Sequence, residues 1–341
     1  GFLGLFRKPL EYMGILYKYL YPLSREGDTS KEEFQPEIKA KALDILKDGD
    51  PIQYLVDSCR RRVLGADIAF RKLACCISVQ NINQSTGLHP KMSGESSGGK
   101  TWTLNMFAHH LAREMVIKGS MSAKAGFYHN DGDRVLRFLD DYAAGNEDLD
   151  TVIKQTSSNF HEAYKHRTVA NHEAKTLTIG REQTWAITSV DGSQDIQVLN
   201  RQLPINVDDS VELTKKVNDL TVERYGNGEV SHPVDEEVLV CRCMFQILRE
   251  EGYINVKIPF ADRIEWLDTS NRRNVSIFMD LLIAHTGIYR HQRQKNADGH
   301  YLATEEDYAA ARALFTDRDG EELTKRLTAR ERDVTMLLFS V

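Results

Sequence analysis

The sequence lacks any apolar run of about eighteen residues, the length that a membrane-crossing helix needs. Its first residues also lack the basic region, short apolar stretch and small-residue cleavage site of a secretion signal. We therefore expect a cytoplasmic protein that does not enter a membrane. Because the chain starts at Gly1 rather than Met, it is expected to be a fragment of a longer protein.

Cysteine is scarce, and its spacing excludes the common zinc patterns. The chain has 5 cysteines, an odd number, with no CxxC pair and no histidine at a matching distance. We interpret them as buried thiols in a reducing compartment. The positions are Cys59, Cys75, Cys76, Cys241 and Cys243.

Positive charge is not in excess. The formal net charge of -6 argues against a protein that coats nucleic acid with its whole surface, because such binding depends on many phosphate contacts by Lys and Arg. A local basic channel remains compatible with this charge. With 341 residues and 41% hydrophobic composition, the chain can form a substantial core.

The apolar pattern changes twice along the chain. Residues 37–80 show helical spacing, whereas short apolar runs at 135–139, 184–190 and 203–207 alternate with helical or polar segments. After Asp235 only helical patterns are expected, over residues 237–250, 273–290 and 305–315, the last capped by Thr304. We predict an N-terminal helix and linker (1–36), an α/β core (37–232), a helical lid (233–318) and the start of a C-terminal segment (319–341).

A phosphate-binding pattern, GxxxxGK[ST], occupies residues 94–101. Its glycines allow backbone N–H groups to surround a phosphate, the Lys neutralises phosphate charge, and the hydroxyl ligates Mg²⁺. A predicted strand at 88–93 precedes the loop and a helical stripe from Leu104 follows it. The sequence thus predicts a site for ATP and Mg²⁺ at Gly94, Glu95, Ser96, Ser97, Gly98, Gly99, Lys100 and Thr101.

Two acids end the apolar run at 135–139. We predict that Asp140 holds the magnesium ion and that Asp141 polarises the attacking water, a position where Glu is commoner and reaches further. The alternative interpretation is a solvated turn after a core strand.

Further polar side chains follow the later strands. Ser189, or as second choice Thr188, is expected to bond the γ-phosphate or the attacking water, although such residues are common at strand ends. Arg201 precedes another apolar strand and is expected to reach the γ-phosphate of a neighbouring subunit. Capping of a backbone carbonyl is its alternative role.

Over about residues 40–318 the chain resembles AAA+ ATPases, in particular helicase domains related to minichromosome maintenance (MCM) proteins of plasmids, viruses and staphylococcal cassette elements. The resemblance depends on the phosphate loop, on 138–141, on 168–190 and 199–201, and on 271–273 heading a helix toward 304–308. It implies an α/β P-loop NTPase core with a helical lid, in a homo-oligomeric ring that is expected to be hexameric. It also implies single-stranded or forked DNA in the central pore and a role in replication of a mobile element. A primase ahead and a winged helix behind are typical of such proteins.

The resemblance also implies residue roles. Arg272 or Arg273, at the start of a lid helix, would sense nucleotide. A β-hairpin with arms at 167–170 and 176–179 would place Lys175, in the connection between them, on the DNA backbone; a solvated loop lysine is the alternative. The sequence departs from the family at Asp141, at the Ser or Thr of the sensor position, and at the acidic Glu95.

Two other functions are compatible with the same motifs. One is an ATP-dependent initiator or loader that assembles on DNA without translocating, and the other is a P-loop phosphotransferase whose acceptor would bind at residues 140–200. The basic groups at 60–62 and 290–295 are either phosphate contacts or solvated helix faces. The histidines at 109–110 and 161 lack partner spacing for a metal and are interpreted as structural.

Overall fold

The computed structural model describes ten segments of the chain. They are residues 31–93, 99–118, 132–140, 142, 147–170, 173–188, 202–208, 210–229, 233–266 and 271–326.

In the described residues before the first strand the chain forms three helices, α1 (Pro36–Asp48), α2 (Pro51–Arg60) and α3 (Asp67–Ser78), which agree with the helical region predicted over 37–80. A proline opens each of the first two, at a position where the missing N–H costs no helical bond. The Asp50 carboxylate caps α2 by accepting a bond from the Gln53 amide at 2.8 Å.

The centre of the protein is a parallel sheet of five strands in the order β2-β3-β6-β1-β7. Because all five run in the same direction, their carboxyl ends lie at one edge of the sheet. The predicted α/β core is confirmed, with strand bounds close to the apolar runs. The strands are β1 (His89–Ser93), β2 (Val116–Lys118), β3 (Leu136–Leu139), β6 (Thr184–Thr188) and β7 (Gln202–Asn206).

Helices cover both faces of this sheet. Helix α4 (Lys100–His109) follows β1, and α5 (Glu147–Ser158) follows β3. Trp185 and Ile187 of β6 join a small core cluster with α5, whereas Ala186 between them belongs to the large core on the opposite face. Burial on both faces explains why the strands are almost continuously apolar.

A β-hairpin precedes β6 in the chain. Its strands β4 (Tyr164–Ala170) and β5 (Glu173–Ile179) pair antiparallel, with Ala170 opposite Glu173. A hairpin in this segment was predicted, but its strands are longer and its connection is shorter than expected.

Among the described residues after β7 the chain forms four helices, one of which was not predicted. They are α6 (Val211–Asn227), α7 (Glu236–Glu250), α8 (Arg272–Ile288) and α9 (Glu305–Arg326). Helix α6 contains no buried residue. The Thr304 hydroxyl caps α9 by accepting from the Asp307 amide at 3.4 Å, as expected.

The expectation that strands end before Asp235 is wrong. Strands β8 (Val256–Lys257) and β9 (Tyr301–Leu302) pair in parallel between the C-terminal helices. Two residues per strand are too few to produce a detectable alternation.

The C-terminal helices pack directly against the N-terminal ones. Helix α7 contacts α1, and α8 contacts α3, where the Ser78 hydroxyl donates to the Ala284 carbonyl at 2.8 Å. One continuous core therefore extends from Phe34 to Phe315. Within the described segments, no helix combines the length and apolar character needed to cross a membrane.

Candidate nucleotide site

The end of the phosphate loop leads directly into α4. Gly99 has a φ of +79°, in the left-handed region that favours glycine, and Lys100 is the first helical residue, with 6% of its surface exposed. The amino end of α4 therefore lies beside the carboxyl end of β1, where free N–H groups and the helix dipole favour a bound anion.

Three predicted side chains meet at this edge of the sheet. The hydroxyls of Thr101 and Thr188 each donate a hydrogen bond to the same oxygen, Oδ1 of Asp140, at 2.7 Å. Thr188 is fully buried, whereas Asp140 is exposed and Thr101 is half-buried. Two fixed donors therefore hold one exposed carboxylate beside the amino end of α4.

The strand order explains why these residues meet. Strand β6 lies between β1 and β3, and Leu139 of β3 is in register with Ile187 of β6. Asp140 and Thr188 are thus the next residues of two neighbouring strands at the same edge. Thr188 is also in register with Met92 of β1, just before the phosphate loop.

This donor set fits a magnesium ion. Mg²⁺ prefers oxygen ligands, and the Thr101 hydroxyl and the Asp140 carboxylate supply two at one point. Lys100 follows the loop directly and contributes a cation for phosphate oxygens. These residues could hold a nucleotide with its Mg²⁺.

Several predicted residues lie outside the described segments, so their positions and roles remain predictions. The second acid Asp141, the first-choice sensor Ser189 and the trans-acting Arg201 are among them. So are the loop residues Gly94, Glu95, Ser96, Ser97 and Gly98.

The arginines expected to sense nucleotide lie at the other end of the sheet. Arg273, in the first turn of α8, lines a cavity together with His89, the first residue of β1, and with Ser85 and Gly87. The phosphate loop leaves β1 at its opposite end, roughly 16 Å away for a strand of this length. Arg272 and Arg273 are both exposed, and the contact of either with a nucleotide stays a prediction. The packing of α8 on α3 fixes this position.

Lys175 lies within β5 rather than in the hairpin connection. It is paired with Thr168, and only residues 171 and 172 separate the two strands. The expected five-residue connection is therefore wrong, whereas the contact of Lys175 with DNA stays a prediction.

The side chains of both basic groups have partners within the chain, and those of Arg60 and Arg61 lie at the surface. In the first group, Arg60 pairs with Asp57 at 3.1 Å, and Arg61 and Arg62 pair with acids at the start of α7. In the second, Arg290 and His291 pair with Glu251, Arg293 pairs with Asp307, and Lys295 lies over the Tyr301 ring.

Buried histidines and cysteines have structural roles, as interpreted from the sequence. His110 bonds the Met106 carbonyl and the Ser58 hydroxyl, and burial lowers the pKa of His110 to about 3, so the ring is neutral. All five cysteines are buried, and burial raises the pKa of the Cys75 thiol to about 12. The described residues contain no cluster of three or more acidic, His or Cys side chains that could hold a metal.

Thr188, the second choice for the sensor position, contacts Asp140, whereas the first choice Ser189 lies outside the described residues. The signal that could have found Thr188 is strand register. Strand β3 ends at Leu139, which is in register with Ile187 of β6. The next residue of β6, Thr188, therefore lies beside Asp140.

Comparison with known proteins identifies one family. The model of the MTBMA_p00010 P-loop domain matches residues 36–251, which begin at α1 and end just after α7. The matched segment includes Lys100, Thr101, Asp140 and Thr188. No curated protein matches the chain.

Proposed function

The chain belongs to the MTBMA_p00010 P-loop domain family. This membership supports a P-loop NTPase, and we propose from the resemblance to AAA+ proteins that the chain hydrolyses ATP as a ring-forming motor. The observation that carries this proposal is the meeting of Thr101, Asp140 and Thr188 beside Lys100. A P-loop alone binds nucleotide, whereas hydrolysis also requires a positioned carboxylate and a means of orienting water.

The roles within one subunit follow from the chemistry of these groups. Lys100 neutralises phosphate charge, and Thr101 with Asp140 holds the magnesium ion. Thr188 orients Asp140 from the neighbouring strand, and Asp141 is proposed to polarise the attacking water. A magnesium ion in this position stabilises charge on the phosphate oxygens.

The ring is proposed because the resemblance to AAA+ proteins implies that a neighbouring subunit supplies a cation to the site. Arg201 of a neighbouring subunit is proposed to stabilise the charge that develops on the transferred phosphate, as the resemblance to AAA+ proteins implies.

DNA is proposed as the track of this motor. The β4–β5 hairpin, between α5 and β6, occupies the place in the chain where MCM-related proteins have their pore hairpin. Lys175 on β5 is proposed to contact the phosphate backbone of single-stranded or forked DNA. The biological role that fits best is a replicative helicase of a mobile or viral element.

ATP turnover by the purified chain tests the ATPase assignment. We expect Lys100→Ala to abolish both binding and turnover, and Arg201→Ala to abolish turnover while leaving ATP binding intact. Mixing Arg201→Ala with Asp140→Asn subunits should restore part of the activity, because one interface in the mixture then has both groups. An active Arg201→Ala variant would contradict the trans role.

Strand displacement on forks with 5′ and 3′ tails tests the motor. A translocating helicase should unwind one fork polarity, and Lys175→Ala should abolish unwinding without reducing basal ATP turnover. Sedimentation with ATP and Mg²⁺ should show a ring. ATP-dependent assembly on DNA with slow turnover and no unwinding would instead identify an initiator or loader.

A further inference from the structure

Helix α6 has a composition that favours a helix only weakly. Ten of its 17 residues are Val, Thr, Asn, Asp, Tyr or Gly, which stabilise a helix less well than Ala or Leu. Helices of this kind depend on tertiary packing of one face for most of their stability. Although the structure describes α6 in full, none of its residues is buried. We therefore expect a further partner for this helix.

One side of α6 rests on the connection between α2 and α3. Leu213 and Leu220, which are seven residues apart and so lie on the same side of the helix, are both half-buried. A Cβ on Gly65 would lie 2.5 Å from Cδ2 of Leu213. The Arg224 guanidinium donates to the Arg62 carbonyl at 3.4 Å. These contacts fix which side of α6 faces the protein and which side faces away.

The side that faces away carries an apolar stripe, formed by Val211, Val222 and Tyr225. These side chains are 81%, 73% and 86% exposed, respectively. With Thr214 and Asn218 between them they recur every three or four residues, so they share one face of the helix. Single exposed apolar side chains are ordinary, whereas large ones aligned on one face mark an interaction surface.

The first 30 residues lie outside the described segments, and their sequence needs an apolar partner of its own. Fourteen of the first 23 residues are Phe, Leu, Ile, Met or Tyr. The spacing i, i+3, i+4, i+7 predicts an apolar helical face there. This face is formed by Met13, Leu16, Tyr17 and Leu20. Two apolar faces of this kind remove each other from water when they pack together.

The described chain begins within reach of α6. Glu32 lies beside α7, where Arg242 donates to its carboxylate at 2.8 Å. Asp235, at the start of α7, is about two turns or roughly 10 Å from Arg242 and pairs with Arg62, which α6 also contacts. Residues 22–30 can span up to about 30 Å when extended. The apolar segment before them is therefore long enough, and attached close enough, to lie along α6.

Charges beside the apolar stripe favour the same occupant. An exposed acidic row runs along one flank of α6 at the spacing i, i+7, i+11 and consists of Glu212, Asp219 and Glu223. The exposed Lys215 and Lys216 offset part of its charge. The first 23 residues contain three basic residues and one acidic residue, a net charge of +2 (3 − 1). This charge is opposite in sign to the acidic row, so the two attract each other.

We propose that residues 1–30 dock on the outward face of α6 in the same chain, with their apolar positions against the apolar stripe. The docked segment supplies the packing that α6 lacks and covers both apolar surfaces at once. It lies one layer from the nucleotide site, because the Arg62 carbonyl that α6 contacts also accepts a bond from Trp102, the residue after Thr101, at 3.2 Å. The proposal is independent of the ATPase function.

Photo-crosslinking of the full chain tests which segment covers the stripe. With a benzophenone amino acid in place of Tyr225, we expect adducts with residues 1–30 in the monomer-sized band, identified by mass spectrometry after digestion. The same group in place of Tyr253 is the control. Tyr253 is also exposed and lies three residues after Glu250, which pairs with Lys31 at 2.7 Å, so a segment that ranged freely would label it at least as often. Equal labelling from both positions, adducts only in a dimer-sized band, or no adduct with the segment would each overturn the proposal.

Trypsin cleavage after Lys18 measures docking without a label. Val222→Asp places a charge in the apolar stripe and should speed this cleavage about tenfold, because the rate follows the population of the undocked segment. Val217→Asp makes the same change on another side of α6, where the side chain is 40% exposed, and should alter the rate by less than about twofold. Equal rates in the unmodified protein and Val222→Asp would contradict docking on the stripe.

Leu16→Asp changes the other partner and leaves the sequence of α6 intact. It should reduce the crosslink from position 225 several-fold, because a charge then faces the apolar stripe. Ile15→Asp is the matched control, since Ile15 is a neighbouring apolar residue outside the predicted helical face, and it should retain most of the crosslink. An unchanged yield in Leu16→Asp, or an equal loss in both variants, would overturn the proposed contact.

Discussion

The Thr101 hydroxyl and the Asp140 carboxylate are 2.7 Å apart, although 39 residues separate them in the chain. The contact joins the first turn of the helix after the phosphate loop to the end of a strand two places away in the sheet. It brings the two predicted magnesium ligands to one point.

The Asp140→Asn variant should lose ATP hydrolysis but still bind ATP. The amide keeps the shape of the side chain but loses the charge that holds the metal, so we expect kcat to fall by about a hundredfold or more. ATP binding measured without Mg²⁺ should change little. Turnover within a few-fold of the unmodified protein would contradict the assignment of Asp140.

Thr188→Val should lower kcat by about tenfold, because it removes one hydrogen bond to an ionised carboxylate without changing the size of the side chain. Thr188→Ser is the matched control, since it keeps the hydroxyl and should retain most of the activity. Steady-state kinetics with saturating Mg²⁺ should show the loss in kcat rather than in KM. An equal loss in both variants would indicate a packing defect.

The parallel core could be predicted from the sequence, because strands buried on both faces appear as short apolar runs. Residues of the nucleotide site could also be predicted, because polar residues end these runs abruptly. The sequence also predicted that Thr101 and Asp140 would act together, since both belong to motifs of fixed spacing. Thr188 was harder to identify, because the sequence does not show at which residue β6 ends.

Features set by long-range packing could not be predicted. The position of Arg273 depends on how α8 packs on α3, and no local pattern carries that information. Strands β8 and β9 have two residues each, too few to leave a periodic signal. The length of the hairpin connection around Lys175 was misjudged because the polar residues on β5 resemble those of a loop.

Gly87→Ala should destabilise the protein by about 2–4 kcal/mol, since a left-handed backbone and steric crowding act together. Gly87 has a φ of +91°, and a Cβ there would lie 2.5 Å from Cδ2 of Phe160. Gly299→Ala is the matched control, with a φ of +81° but no described atom within 4 Å of a Cβ. It should cost only about 1 kcal/mol. Chemical denaturation measures the free energy of unfolding of both variants. An equal loss in the two would show that contact with Phe160 is unimportant.

Asp280 should make stability depend on pH. Burial on α8 raises the pKa of its carboxyl from 3.8 to about 6, against the opposing effect of the bonds from Thr86. The folded protein thus keeps this proton up to about pH 6, whereas the unfolded chain releases it near pH 4. The free energy of unfolding attributable to Asp280 therefore falls as the pH rises from 4 to 6, by about 2–3 kcal/mol, and is level above that range.

Asp280→Asn isolates this effect, because the amide oxygen still accepts the bond from the Thr86 amide but carries no titrating proton. Urea denaturation of both proteins at several pH values gives the difference between their free energies of unfolding. Relative to the variant, the unmodified protein should be more stable at pH 4 than at pH 7. A difference that is constant across this range would mean that Asp280 is ionised in the folded protein throughout, and that the bonds from Thr86 outweigh its burial.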